Sequence, residues 1–291
     1  MKPIRKPFFG DPLFPFELGY KNVKKQINEL PDHLHDQYEL VYIHQGKGVF
    51  FIDNTWYEKK QGDLFIIPGN TIHHSLPHNE DPIVSSALFF APTLLAMERI
   101  DDSYHSLLCF DFARKKRMYR IEQPAALVSV TETALGQIHQ ELADRKPGYH
   151  EAVKLITCQL LLQINRYIQS VSGHRPAGEP RVGPSWIKEV LHDIDEHPER
   201  EASLARLAER ANVSAPHFSR VFKQLTTMNV TQYVNAKRVI RAKELLSRTD
   251  NNIHDISEQC GYETPTHFYR IFKAFTGMTP NKYRQNQSGM Y

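Results

Sequence analysis

The chain has 291 residues, of which 41% are apolar, enough for about two globular cores. Its three cysteines, Cys109, Cys158 and Cys260, form no CxxC pattern; this excludes a disulfide framework or a cysteine metal site and suits reduced thiols in a cytosolic protein. Net charge is +3 but uneven: residues 1–184 hold 21 basic and 21 acidic side chains, whereas in 216–291 basic outnumber acidic by 11 to 5, as contact with nucleic acid requires.

The N-terminus, MKPIRKPFFGDPLFPF, is broken by prolines and has no uninterrupted apolar run, so no signal peptide is expected. The longest apolar stretches fall short of a membrane span, and the expectation is a soluble, cytoplasmic protein without a membrane partner. Residues 30–95 read as short strands: Tyr38 to Ile43, Gly48 to Ile52 and Asp63 to Ile67, punctuated by Gly46, Asp53-Asn54, Gly62 and Pro68-Gly69. Such spacing indicates a sandwich or barrel. After about 125 the period becomes helical. Leu135, Ile138 and Leu142 mark one helix, Lys146-Pro147-Gly148 a turn, and Val153 to Ile168 a second amphipathic helix. This segment, 126–170, is either a lid on the barrel or a dimer seam. The stretch SGHRPAGEPRVGP, 172–184, is a linker by its Pro and Gly content. It separates an N-terminal domain, 1–171, from an all-helical one, 185–291.

Within the first domain, His33, His35, Glu39 and, farther on, His73 form a constellation. If one strand continues from 33 to 39, the first three share a face. With His73 they could surround a divalent ion such as Zn, Mn or Fe, or form the polar floor of a ligand pocket without any cofactor. Tyr38, Tyr42, Phe50, Trp56 and Phe65 are candidate pocket walls. His74 and His78 read as exposed loop histidines, and Arg114 to Arg117 as a solvated run.

The second domain says nearly the same thing twice. His217-Phe218-Ser219-Arg220-Val221-Phe222-Lys223 returns 50 residues later as His267-Phe268-Tyr269-Arg270-Ile271-Phe272-Lys273. Each copy follows a short helix, a tight turn (Asn212-Val213; Gly261-Tyr262) and a capping residue (Ser214; Thr264). These are two helix-turn-helix units, about 203–224 and 252–275. The positions between the apolar anchors face outward: Pro216, His217, Ser219, Arg220 and Lys223, then Thr266, His267, Tyr269, Arg270 and Lys273. Arg suits guanine edges, and Lys suits phosphates. The helix between the copies carries Lys237, Arg238, Arg241 and Lys243, further candidates for phosphate contact.

Residues 185–285 resemble the DNA-binding domain of the AraC/XylS regulators. The resemblance rests on Ile253-x-x-Ile256-Ser257-x-x-Cys260-Gly261-Tyr262, Phe268-x-Arg270-x-Phe272-Lys273 and Gly277-x-Thr279-Pro280-x-x-Tyr283-Arg284. It implies seven helices and promoter DNA as partner, with Ser219, Arg220, Thr266 and Arg270 as base readers beside the outward-facing His267. The first copy departs from the pattern at Asn212, Pro216 and Thr227, so less base discrimination is expected of it. The spacing of His33, His35, Glu39, Gly46, Gly62, Pro68 and His73 resembles the two cupin motifs. That implies a double-stranded β-barrel binding a small effector, commonly a sugar, and often without metal. The fold expectation is α+β: a cupin barrel with an α-hairpin, then two helix-turn-helix units. The function expected is a non-enzymatic, sugar-responsive, dimeric activator that works with RNA polymerase. The alternatives are a regulator whose signal is a bound metal, and a cupin metalloenzyme.

Overall fold

The computed structural model describes residues 4–5, 14–25, 33–95, 104–171, 184–200, 202–226 and 228–288. The expected linker, except Pro184, lies outside these residues, as do Thr227 and much of the N-terminus. The chain separates into two compact units, one built on Leu34–Pro180 and one on Arg181–Tyr291.

The first unit is a barrel of two antiparallel sheets. The strands are β1 (Ile4–Arg5), β2 (Phe16–Lys24), β3 (His33–Leu34), β4 (Tyr38–Gln45), β5 (Gly48–Ile52), β6 (Thr55–Lys59), β7 (Asp63–Ile67), β8 (His73–Pro77), β9 (Ile83–Phe90) and β10 (Arg120–Glu122). One sheet has the order β1-β3-β8-β5-β6, the other β10-β7-β4-β9-β2. Alternation sorts the side chains. In β5, Phe50 meets Phe65 of the opposite sheet at 5.1 Å between ring centroids, so it points into the barrel. Phe51 points out, against Trp56 and His74. All five residues of β7 are buried, because helices cover its outer face and leave it no solvent side.

Those helices are α1 (Leu108–Lys116), α2 (Ala125–Asp144) and α3 (Tyr149–Val171). Val153, Leu160, Leu161, Ile164 and Ile168 of α3 belong to the same core cluster as the barrel and α2. Much of the apolar stripe of α3 is therefore buried inside the unit, while Leu155 on the same helix stays exposed. The sequence points to β4, β5 and β7 as strands, and to β3 only as part of a conditional strand over 33–39; β1, β2, β6, β8, β9, β10 and α1 are not legible in it.

The second unit is helical: α4 (Ser185–Glu196), α5 (Leu204–Arg210), α6 (Ala215–Thr226), α7 (Val230–Arg248), α8 (Ile253–Gln259), α9 (Pro265–Thr276) and α10 (Pro280–Ser288). Thr264 accepts a hydrogen bond from the His267 N–H, and Pro265 takes the first helical position. Asn212 and Gly261 occupy the left-handed region, at φ 53° and 78°. The two halves repeat a hidden device. Thr226 donates to Phe222 O at 2.7 Å and Thr276 to Phe272 O at 2.8 Å, each also bridging to the methionine two residues on. Phe218, Phe222, Phe268 and Phe272 are fully buried, each contributing about 1.5–3 kcal/mol. That anchoring leaves the opposite faces of α6 and α9 to solvent.

Candidate DNA interface and barrel site

On α9, Thr266, His267, Arg270 and Lys273 are all exposed; on α6, Arg220 and Lys223 are exposed and Ser219 is half-buried. The Arg220 guanidinium donates to His217 Nδ1 at 3.2 Å, which pre-positions it along the helix surface. Both helices thus present a cationic, hydrogen-bonding face whose reverse is fixed by aromatic packing. A groove-reading helix needs that arrangement.

The basic residues of α7 behave differently: burial contradicts the phosphate role expected of Lys237 and Lys243, and carbonyl contacts occupy Arg238, while Arg241 stays 41% exposed. Lys237 Nζ lies 2.6 Å from Asp195 Oδ1, with side chains only 10% and 5% exposed. Arg238 donates to the backbone oxygens of Pro198 and Arg200 at 2.7 and 3.1 Å. Its guanidinium sits over the Tyr262 ring. Arg241, less enclosed, is held by Glu199 Oε2 at 3.4 Å. Lys243 is buried, its ammonium over the Tyr283 ring. These cations fasten α7 to its neighbours.

In the barrel, the chain does not run straight from His33 to Glu39. The strand breaks at a bend after His35, and β3 and β4 lie in different sheets. The expected single-strand register is wrong, yet the groups converge across the two sheets. Glu39 Oε2 is 3.0 Å from His35 Nε2 and 3.1 Å from His73 Nε2. Ring nitrogens of His33, His35 and His73 lie within 4.8 Å of one another.

Each inner imidazole is oriented by its other nitrogen. His35 Nδ1 is 2.9 Å from Gln37 O and His73 Nδ1 is 2.8 Å from Thr71 O. A carbonyl can only accept, so both Nδ1 atoms carry the proton. In neutral rings both Nε2 lone pairs then face the carboxylate, an arrangement that calls for positive charge between them. Burial pushes the Glu39 carboxyl up, but the hydrogen bonds and charge of His35 and His73 outweigh that and hold it well below its usual range.

Tyr42 is not part of this site. Two residues of Glu39's face, 39 and 41, alternate with 40 and 42, and Tyr42 hydrogen-bonds Glu132 of α2 at 2.8 Å on the outer face. Tyr38 packs on Phe110 and Trp56 on Phe51, also outside. Of the five aromatic wall candidates, Phe50 and Phe65 face inward. His74 is buried at 1% exposure rather than in a loop, while His78 is exposed. One interior group was missed by the sequence reading: Lys59, 4% exposed, whose ammonium is 2.6 Å from Ser75 Oγ. Its signal was the alternation Thr55, Tyr57, Lys59 along β6, which puts it on the same face as Tyr57.

Comparison with known proteins adds two matches. Residues 25–154 match a family described as AraC-like ligand binding domain, and residues 207–286 a helix-turn-helix domain. The transcriptional activator RhaR of Escherichia coli K12 is 25% identical over 257 residues, 88% of this chain and 88% of its own length; RhaR of Shigella flexneri gives the same figures. Among solved structures, the DNA-binding domain of AdpA in complex with a target DNA is 27% identical, covering 36% of this chain and 96% of that one, with a TM-score of 0.36. ToxT from Vibrio cholerae O395 is 12% identical and covers 94% of this chain and 99% of that one, with a TM-score of 0.38. Among the described residues no helix is long and apolar enough to cross a membrane.

Proposed function

This chain belongs to the AraC family of DNA-binding transcription regulators with an N-terminal ligand-binding domain, and from that premise we propose that it activates transcription in response to a small carbohydrate. The carrying observation is the pairing of two aromatic-anchored helices that expose Arg220 and Arg270 with a barrel that buries His35, Glu39 and His73. The output face reads promoter DNA, with Ser219, Arg220, Thr266, His267 and Arg270 toward bases and Lys223 and Lys273 toward phosphate. Lys237 and Arg238 are left out of that set, and Arg241, 41% exposed, stays in it beside the two lysines. The input face hydrogen-bonds effector hydroxyls. The similarity to RhaR, an activator, supports the sign of the response, and with it RNA polymerase as a partner. The protein acts in the cytoplasm as a homodimer. The effector must bind two arrangements of the protein with different affinity, or nothing is switched.

A second reading is favoured by one observation: two Nε2 atoms and a carboxylate oxygen converge within hydrogen-bonding distance. His33, His35, Glu39 and His73 would hold a divalent cation as ligands, with the carbonyls of Gln37 and Thr71 orienting two of the rings, a familiar support for metal-bound histidine. Ligand distances of about 2.0–2.2 Å place neighbouring donors roughly 3 Å or more apart, close to the separations found. The ion would supply Lewis acidity and a signal; the chain's own part is to position the donors.

A thermal-shift screen of the full chain against neutral and acidic sugars and against Zn, Mn and Fe(II) separates the readings, because a ligand of the native barrel raises its melting temperature. Stabilisation by sugars alone supports the first. Stabilisation by a metal that also changes DNA affinity supports the second. Turnover of a small substrate by the metal-loaded protein would replace both with the enzyme reading.

A further inference from the structure

The two helix-turn-helix units hold the histidines of their reading helices in different ways. His217 and His267 stand at equivalent places, each donating its backbone N–H to a capping hydroxyl, that of Ser214 or Thr264. The turns before them are equivalent too. Val213 and Tyr262 donate their backbone N–H groups to Ala208 O and Ser257 O in the same pattern. The side chains in those turns differ. The Tyr262 ring lies edge-on to the His267 ring, at 5.6 Å between centroids. Val213 has no ring to offer. The His217 imidazole is half-buried and bounded by Trp186 of α4 at 6.4 Å, whose indole packs on Phe218 at 5.0 Å. Its Nδ1 accepts the Arg220 N–H at 3.2 Å. Among the described residues, no such bond holds Arg270 in the second copy.

This tie has a direction and a chemical form. Side chains on a helix lean back toward its N-terminus. A bond from position 220 to 217 therefore holds the guanidinium over the first turns of α6, which begins at Ala215. Those turns are the part of a reading helix that meets base edges. The bond needs a lone pair on Nδ1, so in the neutral ring the proton sits on Nε2. An arginine loses rotamer freedom when its fork is fixed on a base. A partner that already restrains the fork lowers that cost and disfavours other poses. We infer that His217 is a positioning residue of the DNA interface, which presets Arg220 and sharpens the reading of the base pair that Arg220 meets. The inference rests on the base-reading role given to Arg220 above. It restores to the first copy, at that base pair, discrimination that Asn212, Pro216 and Thr227 argue against.

The test uses the full chain and the duplex site it enriches from random DNA. All four base pairs are placed in turn at each position, and affinity is read by fluorescence anisotropy. Arg220→Ala identifies the base pair that Arg220 reads, as the position whose identity ceases to matter. His217→Leu, which lacks the acceptor, is expected to reduce the preference at that same position about three- to tenfold, the range of one hydrogen bond. His217→Asn is expected to keep most of the preference, because its Oδ1 stands where Nδ1 does. An undiminished preference in His217→Leu overturns the inference. An equal loss in His217→Asn, or a loss spread over all positions, also overturns it and makes His217 a packing residue. If Arg220→Ala erases no preference, the base-reading role of Arg220 fails and the inference falls with it. His217→Ala gives a second acceptor-free variant where the leucine variant does not fold.

Discussion

Lys237 and Arg270 are both cations on helices of the DNA-binding unit, and their surroundings give them opposite roles. Lys237 is enclosed with Asp195 at 2.6 Å. Replacing it with Ala removes the ammonium from beside a buried carboxylate, at a cost of about 3–5 kcal/mol of folding stability. Chemical denaturation should show that loss, while the salt dependence of DNA binding by the folded fraction stays unchanged. A flattened salt slope would return Lys237 to the phosphate contacts. Arg270 stands exposed on α9. Arg270→Ala should cost about 1–3 kcal/mol at the specific site and relax preference at one base pair, with little effect on melting temperature. An equal loss on random DNA would make it a phosphate contact. The sequence distinguishes these residues poorly. Both sit in basic, polar contexts, and what separates them is Asp195, 42 positions away from Lys237 in the chain. The barrel histidines were easier to find, because few residue types ligate or hydrogen-bond in that spacing. Tyr42 was misplaced because its face depends on strand register, which the bend after His35 resets.

The two helix-turn-helix elements differ most at their turns. Gly261, at φ 78°, lies so close to the turn after α4 that a Cβ there would be 2.3 Å from Glu199 O. Gly261→Ala therefore combines a left-handed backbone with a collision, and should destabilise the unit by on the order of 2 kcal/mol or more. Asn212 occupies the matching turn at φ 53°, a conformation Asn tolerates. Asn212→Gly should change stability by less than about 1 kcal/mol. Thermal melts of both variants check the contrast; equal losses would mean the turns are equivalent. At this scale the sequence was informative. Caps, Gly and Pro act on their nearest neighbours, so the α8–α9 turn and the start of α9 could be read directly. The edge strand β2 and its neighbour β9 were not, because their pairing spans nearly the whole barrel sequence, from Phe16 to Phe90. The Thr226 and Thr276 bridges went unread for a related reason: a buried hydroxyl bonded to a helix carbonyl leaves no periodic trace.

For the molecule as a whole, the composition already separated a neutral N-terminal half from a basic C-terminal end, and the two units give that division a physical meaning. The barrel encloses its polar groups, and the helical unit displays them. The regulator reading requires the display to be sequence-selective, and duplicated helices predict two contacts on neighbouring turns of one face of DNA. The most direct test is to select binding sites from random duplex DNA with the full chain and footprint the winners. The account predicts an enriched site with two protected major-groove segments about 10 base pairs apart, one of which loses its preference at a single position in Arg270→Ala. Failure to enrich any sequence, or a single protected segment indifferent to Arg270→Ala, would contradict it.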